Sequence, residues 1–118
     1  MSGFPEALAD CWHPVAYAHD VTDKPVATML LEEALVIWRS SDGAPHAMKD
    51  LCIHLGTALS LGWVSGDELV CGYHGLAMGC DGKTVSMPGQ RVRGFPAIRS
   101  YPVEERYGFI WLWPGDAD

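Results

Sequence analysis

Two short stretches hold the side chains with the most distinctive chemistry. Cys52-Ile53-His54-Leu55-Gly56 comes first, and Cys71-Gly72-Tyr73-His74-Gly75 follows after ordinary strand-and-turn sequence. Each offers one thiolate and one imidazole, in the same order, with a glycine soon after the histidine. Such soft and borderline ligands suit a transition metal, whereas calcium and magnesium demand oxygen. A set of two cysteines and two histidines leaves two main options. One is tetrahedral zinc; the other is a two-iron, two-sulfide cluster with cysteines on one iron and histidines on the other.

The spacing discriminates between them. A zinc finger pairs cysteine with cysteine and histidine with histidine, but here each half is mixed. Cys52-x-His54 is also tight for two residues closing on one ion. Two irons separated by bridging sulfides relieve that, because each loop sends its cysteine to one iron and its histidine to the other. Gly56 and Gly75 let the backbone turn sharply and bring amide N–H groups close to the sulfides. The expected ligands are Cys52, His54, Cys71 and His74, around a [2Fe–2S] cluster. No catalytic residue is assigned.

These two loops need strands to present them. Leu8 to Val15 reads as an opening strand, and Asp20 to Pro25 as a link. Val26–Leu31 and Leu35–Arg39 read as a hairpin turning at Glu32-Glu33. Ser41 to Pro45 turns again, with Asp42-Gly43 favouring positive φ. His46–Leu51 then delivers the chain to Cys52. Trp63-Val64 and Glu68–Val70 flank the turn Ser65-Gly66-Asp67 and lead into Cys71. Leu76–Met78 leaves the second loop, Cys80 to Lys83 turns, and Thr84–Ser86 returns. Met87-Pro88-Gly89-Gln90 is too rich in Pro and Gly for a strand interior; it is either a connector or a third loop against the cluster. Phe109 to Trp113 alternates rings and aliphatics, and core packing accounts for the ring stripe. Short strands and repeated turns predict an all-β domain, an antiparallel sandwich or small barrel with an inserted cluster-binding subdomain at about 50–90.

At 118 residues the chain fits one domain, 1–118. Apolar content of 48% with 19% charged residues is globular in character. A net charge of −7 argues against a nucleic-acid partner. No apolar run is long enough to span a membrane, and the first residues lack a signal-peptide pattern, so the cytoplasm is the expected location. The late arginines Arg91, Arg93, Arg99 and Arg106 read as solvated. Cys11 and Cys80 read as buried thiols rather than a disulfide. His13 and His19 read as surface or strand-end residues, and His46 lacks a second ligand nearby.

With both loops in view, the chain resembles the Rieske proteins. Cys71-Gly-Tyr-His-Gly-Leu-Ala-Met-Gly-Cys-Asp-Gly-Lys-Thr84, Met87-Pro-Gly-Gln90 and Glu105-Arg-Tyr-Gly-Phe-Ile-Trp-Leu-Trp-Pro-Gly115 resemble the N-terminal domain of Rieske non-haem iron oxygenases, the vanillate O-demethylase branch in particular. That resemblance implies an electron-delivery domain served by a reductase or ferredoxin. It also implies an oxygenase catalytic domain with a mononuclear iron, whose residues are absent from this chain. Turnover by these residues alone is not expected. A stand-alone Rieske ferredoxin is the alternative, and a structural zinc module a lesser one. Ile53 and Leu55 stand where such oxygenases usually have proline and arginine, which makes the tip more apolar. High-potential Rieske proteins carry a serine and a tyrosine where Leu76 and Met78 stand, and disulfide cysteines where Thr57 and Tyr73 stand. The resemblance therefore implies a potential near the low end of the range, roughly −150 to 0 mV.

Overall fold

The computed structural model describes residues 11–51, 58–72, 76–86 and 98–114. Among these the chain is all-β, apart from single turns of 3-10 helix at Ala18–Asp20 and Leu59–Leu61. The first strands are β1 (His13–Tyr17), β2 (Val26–Leu30), β3 (Glu33–Arg39) and β4 (Pro45–Lys49). Then come β5 (Trp63–Ser65), β6 (Glu68–Val70), β7 (Ala77–Met78) and β8 (Thr84–Ser86). The last described are β9 (Ser100–Tyr101), β10 (Val103–Arg106) and β11 (Phe109–Leu112). They form three antiparallel sheets, ordered β1-β11-β10, β2-β3-β4-β9 and β5-β6-β7-β8.

β3 explains how the sheets stack. Leu35, Val36, Ile37 and Trp38 are consecutive, apolar and fully buried. Side chains alternate along a strand, so both faces of β3 must be covered. Leu35 and Ile37 pack with Ala47, Tyr101, Ile110 and Leu112 toward the β1-β11-β10 sheet. Val36 and Trp38 pack with Met48, Leu69 and Met78 toward the β5–β8 sheet. The sheet containing β3 is thus the middle layer of three, with a core on each face. Each fully buried aliphatic or aromatic side chain contributes about 1.5–3 kcal/mol.

The outer sheet β5–β8 is strung between β4 and β9 in the chain, yet β4 and β9 pair directly, Ala47 with Tyr101. Arg39 ties the middle layer to its surroundings. Its Nε donates to the Val21 carbonyl at 2.6 Å and its terminal nitrogens to Ala18, Gly43 and the Glu105 carboxylate.

Several expectations need correction. Of the expected opening strand, residues 8–10 lie outside the described residues; among those described, β1 begins at His13 and runs on to Tyr17, because its partner β11 supplies the ladder there. The β2–β3 turn sits at Leu31-Glu32, both at positive φ (50° and 70°), and Glu33 already pairs with Leu30. That is the φ pattern of a two-residue hairpin turn whose twist matches the strands. β4 spans Pro45–Lys49, one residue earlier at its start than expected and two shorter at its end. Cys11 is exposed rather than buried, with its sulfur 3.4 Å from His13 Nε2, and no disulfide occurs among the described residues. Cys80 is half-buried. Arg99 is not merely solvated: it donates to the Pro114 carbonyl at 2.7 Å and lies over the Tyr101 ring. Along β11 the core face is Ile110 and Leu112, both fully buried, while Phe109, Trp111 and the following Trp113 stay half-exposed. Met87–Gln90 lies outside the described residues.

Candidate metal centre

The two loops expected to carry the ligands are closed at their bases by different devices. β4 ends at Lys49, and Asp50 is held by its own N–H on the Ala34 carbonyl at 3.0 Å. The Asp50 carboxylate then accepts two hydrogen bonds from Ser60, from the backbone N–H at 2.7 Å and from the hydroxyl at 2.6 Å. The segment carrying Cys52 and His54 therefore leaves and returns at one point. Its returning end is anchored by Leu59, which is fully buried in the core beneath the β5–β8 sheet.

The second loop is closed by the sheet itself. Val70 pairs with Ala77, and the Cys71 N–H donates to the Leu76 carbonyl at 2.7 Å. Cys71 is fully buried, in the same core as Leu59 and Leu76. Its burial ties one of the four expected ligands to the rigid centre of the molecule. The other three, Cys52, His54 and His74, lie outside the described residues. Among the described residues no three His, Cys, Asp or Glu side chains converge as a metal site.

The bases of the loops abut. A Cβ added at Gly62 would lie 1.8 Å from the Val70 carbonyl oxygen, and one at Gly72 would lie 3.0 Å from the Leu61 carbonyl oxygen. Leu61-Gly62 therefore passes backbone-to-backbone against Val70 to Gly72, which only glycine at position 62 permits. Sequence reasoning did not mark Asp50, Ser60 or Gly62. An acidic residue two positions before Cys52 and a glycine just past the first loop were the only available signals.

This arrangement fits a metal cluster held between two loops. The donor set is two thiols and two imidazoles, one thiol is held in the core, and glycine backbone brings the loop bases together. Leu76 and Met78, which follow the second loop, are buried and apolar and offer no side-chain donor to a sulfide.

A separate polar group lies where the β3–β4 turn meets the β5–β6 turn. The Ser40 hydroxyl bridges Asp42 at 2.5 Å and His46 Nε2 at 2.8 Å, and Asp67 accepts from the Ser41 N–H and hydroxyl. Burial holds His46 below its ordinary pKa, opposed by the nearby carboxylates of Asp42 and Asp67. The hydroxyl and N–H donors lower Asp42 and Asp67. Burial, followed by the Asp67 and Asp42 charges, pushes the Cys80 thiol up, which makes it a poor nucleophile. His46 also packs on the Trp38 ring at 5.0 Å, so it is a structural histidine.

No helix of the described residues is long and apolar enough to cross a membrane. Residues 11–102 match the Rieske [2Fe-2S] domain model. The chain is 51% identical over 109 residues to the vanillate O-demethylase oxygenase subunit of Pseudomonas sp. strain HR199, covering 92% of this chain and 31% of that protein. It is 37% identical to the oxygenase component of dicamba O-demethylase from Stenotrophomonas maltophilia, over 92% of this chain and 33% of that one. The crystal structure of dicamba monooxygenase bound to dicamba superposes with a TM-score of 0.87 at 33% identity, over 92% of this chain and 33% of that chain. The chain thus spans about a third of the length of the relatives it matches. On these grounds it belongs to the Rieske [2Fe-2S] domain family, homologous to the Rieske domains of aromatic oxygenases.

Proposed function

We propose that this chain is the electron-delivery domain of an O-demethylating oxygenase of the vanillate type, with Cys52, His54, Cys71 and His74 as the ligands of its [2Fe–2S] cluster. When bound, such a cluster takes up and returns one electron at a time. Cys52 and Cys71 serve as thiolates on one iron, and His54 and His74 as neutral imidazoles on the other. The ring nitrogen of each imidazole that is not bound to iron would hold or release a proton. Residues about 50–90 act as the cluster-binding unit within a single domain. The partners are an electron-donating reductase or ferredoxin and an oxygenase catalytic domain carrying a mononuclear iron, and the setting is the cytoplasm.

The observation that carries this reading is the closure of both ligand loops at abutting bases, with Cys71 locked into the core. The apolar Leu76 and Met78 support a potential near the low end of the Rieske range, roughly −150 to 0 mV. The test is metal analysis with electron paramagnetic resonance after dithionite reduction. Two irons and two sulfides per chain, with a mixed-valence signal of low average g, are expected. A silent spectrum with stoichiometric zinc would defeat the proposal, and a midpoint above about +200 mV would defeat the low-potential assignment.

A further inference from the structure

Cys11 and His13 stand apart from both cluster loops, at the entry to β1. A Cys-x-His spacing is tight within a loop, but here the two side chains meet, with Cys11 Sγ 3.4 Å from His13 Nε2. That separation has a meaning beyond a hydrogen bond. Zinc binds sulfur at about 2.3 Å and imidazole nitrogen at about 2.0–2.1 Å, so at tetrahedral angles two such ligands stand about 3.5 Å apart. The pair therefore matches one edge of a zinc tetrahedron with almost no movement. Cys11 is exposed and His13 half-buried, so an ion reaches both atoms from solvent.

The backbone under the pair is held from both sides. His13 pairs with Leu112 of β11, and Leu112 is fully buried. Trp12, between the two ligands, packs edge-on against Trp113 at 5.6 Å. Ligands on backbone fixed by packing lose little freedom when an ion arrives.

We propose that Cys11 and His13 form a second metal site, for a divalent ion of the zinc class, separate from the iron–sulfur cluster. The donor types choose the metal: thiolate with imidazole favours zinc, whereas magnesium and calcium want oxygen. Binding exchanges a proton for the ion. The Cys11 thiol gives its proton to solvent, the sulfur and the neutral imidazole each form one bond to zinc, and no electron moves. Water fills the positions that the two side chains leave. A net charge of −7 attracts a divalent cation. The site is also remote from the expected cluster. Val15 and Ala16, which follow the pair on β1, pack on the core between the middle sheet and the β1-β11-β10 sheet, whereas Cys71 belongs to the core on the other face. Zinc bound here leaves iron in place, so a preparation holding zinc beside two irons is fully loaded rather than mismetallated.

The test is protection of Cys11 from iodoacetamide in the purified chain, read by peptide mass spectrometry with zinc chloride or magnesium chloride present. Micromolar zinc should slow alkylation of Cys11 at least fivefold, and magnesium should not. Equal rates with and without zinc would overturn the proposal, and equal protection by magnesium would overturn the choice of metal. His13→Gln keeps the thiol for labelling, and in it zinc should no longer protect. Protection equal to the parent's would remove His13 from the site. Equilibrium dialysis supplies the count: Cys11→Ser should retain one zinc fewer per chain than the parent, with the same iron content and reduced-state resonance signal. Undiminished zinc in Cys11→Ser would place the ion elsewhere. Loss of iron on adding zinc, with Cys11 unprotected, would show that zinc takes the cluster ligands instead. Iron and its resonance are read separately from Cys11 labelling, so failure of the cluster assignment and failure of this site are distinguishable.

Discussion

The Asp50 carboxylate grips Ser60 twice, at the backbone N–H (2.7 Å) and at the hydroxyl (2.6 Å), and so joins the two ends of the segment that carries Cys52 and His54. Hydrogen bonds to a charged acceptor are worth about 1.5–3 kcal/mol. Fixing the ends also removes closure entropy that the loop would otherwise lose on binding metal. Asp50→Ala should leave the strands intact but shorten the lifetime of the cluster absorbance in air several-fold. Ser60→Ala, which keeps the backbone bond, should have the smaller effect. An Asp50→Ala cluster as durable as the parent's would show that the loop is held by other means.

Gly62 and Gly66 provide a matched pair for testing the contact between the loop bases. At Gly62 a Cβ would run into the Val70 carbonyl oxygen, whereas at Gly66 it would meet nothing and only the φ of +62° is strained. Gly66→Ala should therefore cost about 1 kcal/mol, the ordinary penalty of a left-handed residue. Gly62→Ala should cost more, about 2–3 kcal/mol from forced displacement, and should reduce the iron retained per chain. Urea unfolding of both variants, with iron analysis, checks the order. Equal costs would remove Gly62 from the site.

Arg39 reaches three backbone carbonyls and one carboxylate from a largely buried position. The Glu105 partner is 42% exposed, so the ion pair itself contributes less than about 1 kcal/mol. The carbonyl contacts carry the rest. Arg39→Lys cannot reproduce the planar fork and should destabilise by about 2 kcal/mol, whereas Glu105→Gln should cost under about 1 kcal/mol. Chemical denaturation separates the two, and a larger loss from Glu105→Gln would reverse the assignment.

His46 gives stability a pH dependence whose sign is fixed. Burial lowers its pKa in the folded chain, so as pH falls below the ordinary histidine value of 6.5 the unfolded chain takes up a proton that the folded one resists. Its contribution is present above that value and is lost as pH falls toward the folded-state pKa. The urea midpoint should therefore drop between pH 7 and about pH 5.5 more steeply in the parent than in His46→Gln. Parallel curves would show that His46 stays accessible to protons when folded.

The chemistry was legible from sequence because it depends on residue type. Two thiols and two imidazoles in mixed pairs select the metal before any fold is known. The β5–β6 hairpin was equally legible, since the turn residues Ser65-Gly66-Asp67 between two short runs are a local signal, and so was β8, which follows the turn at Gly82. Other features depend on what a strand meets across space. Phe109, Trp111 and Trp113 share one face by their spacing, yet only the packing of Ile110 and Leu112 onto the middle sheet shows that the ring face is the outer one. A run such as Leu35 to Trp38 implies burial but not which layer covers which face. Asp50 and Ser60, ten residues apart, become partners only when the loop between them is closed, because a hydrogen bond needs proximity that composition cannot encode.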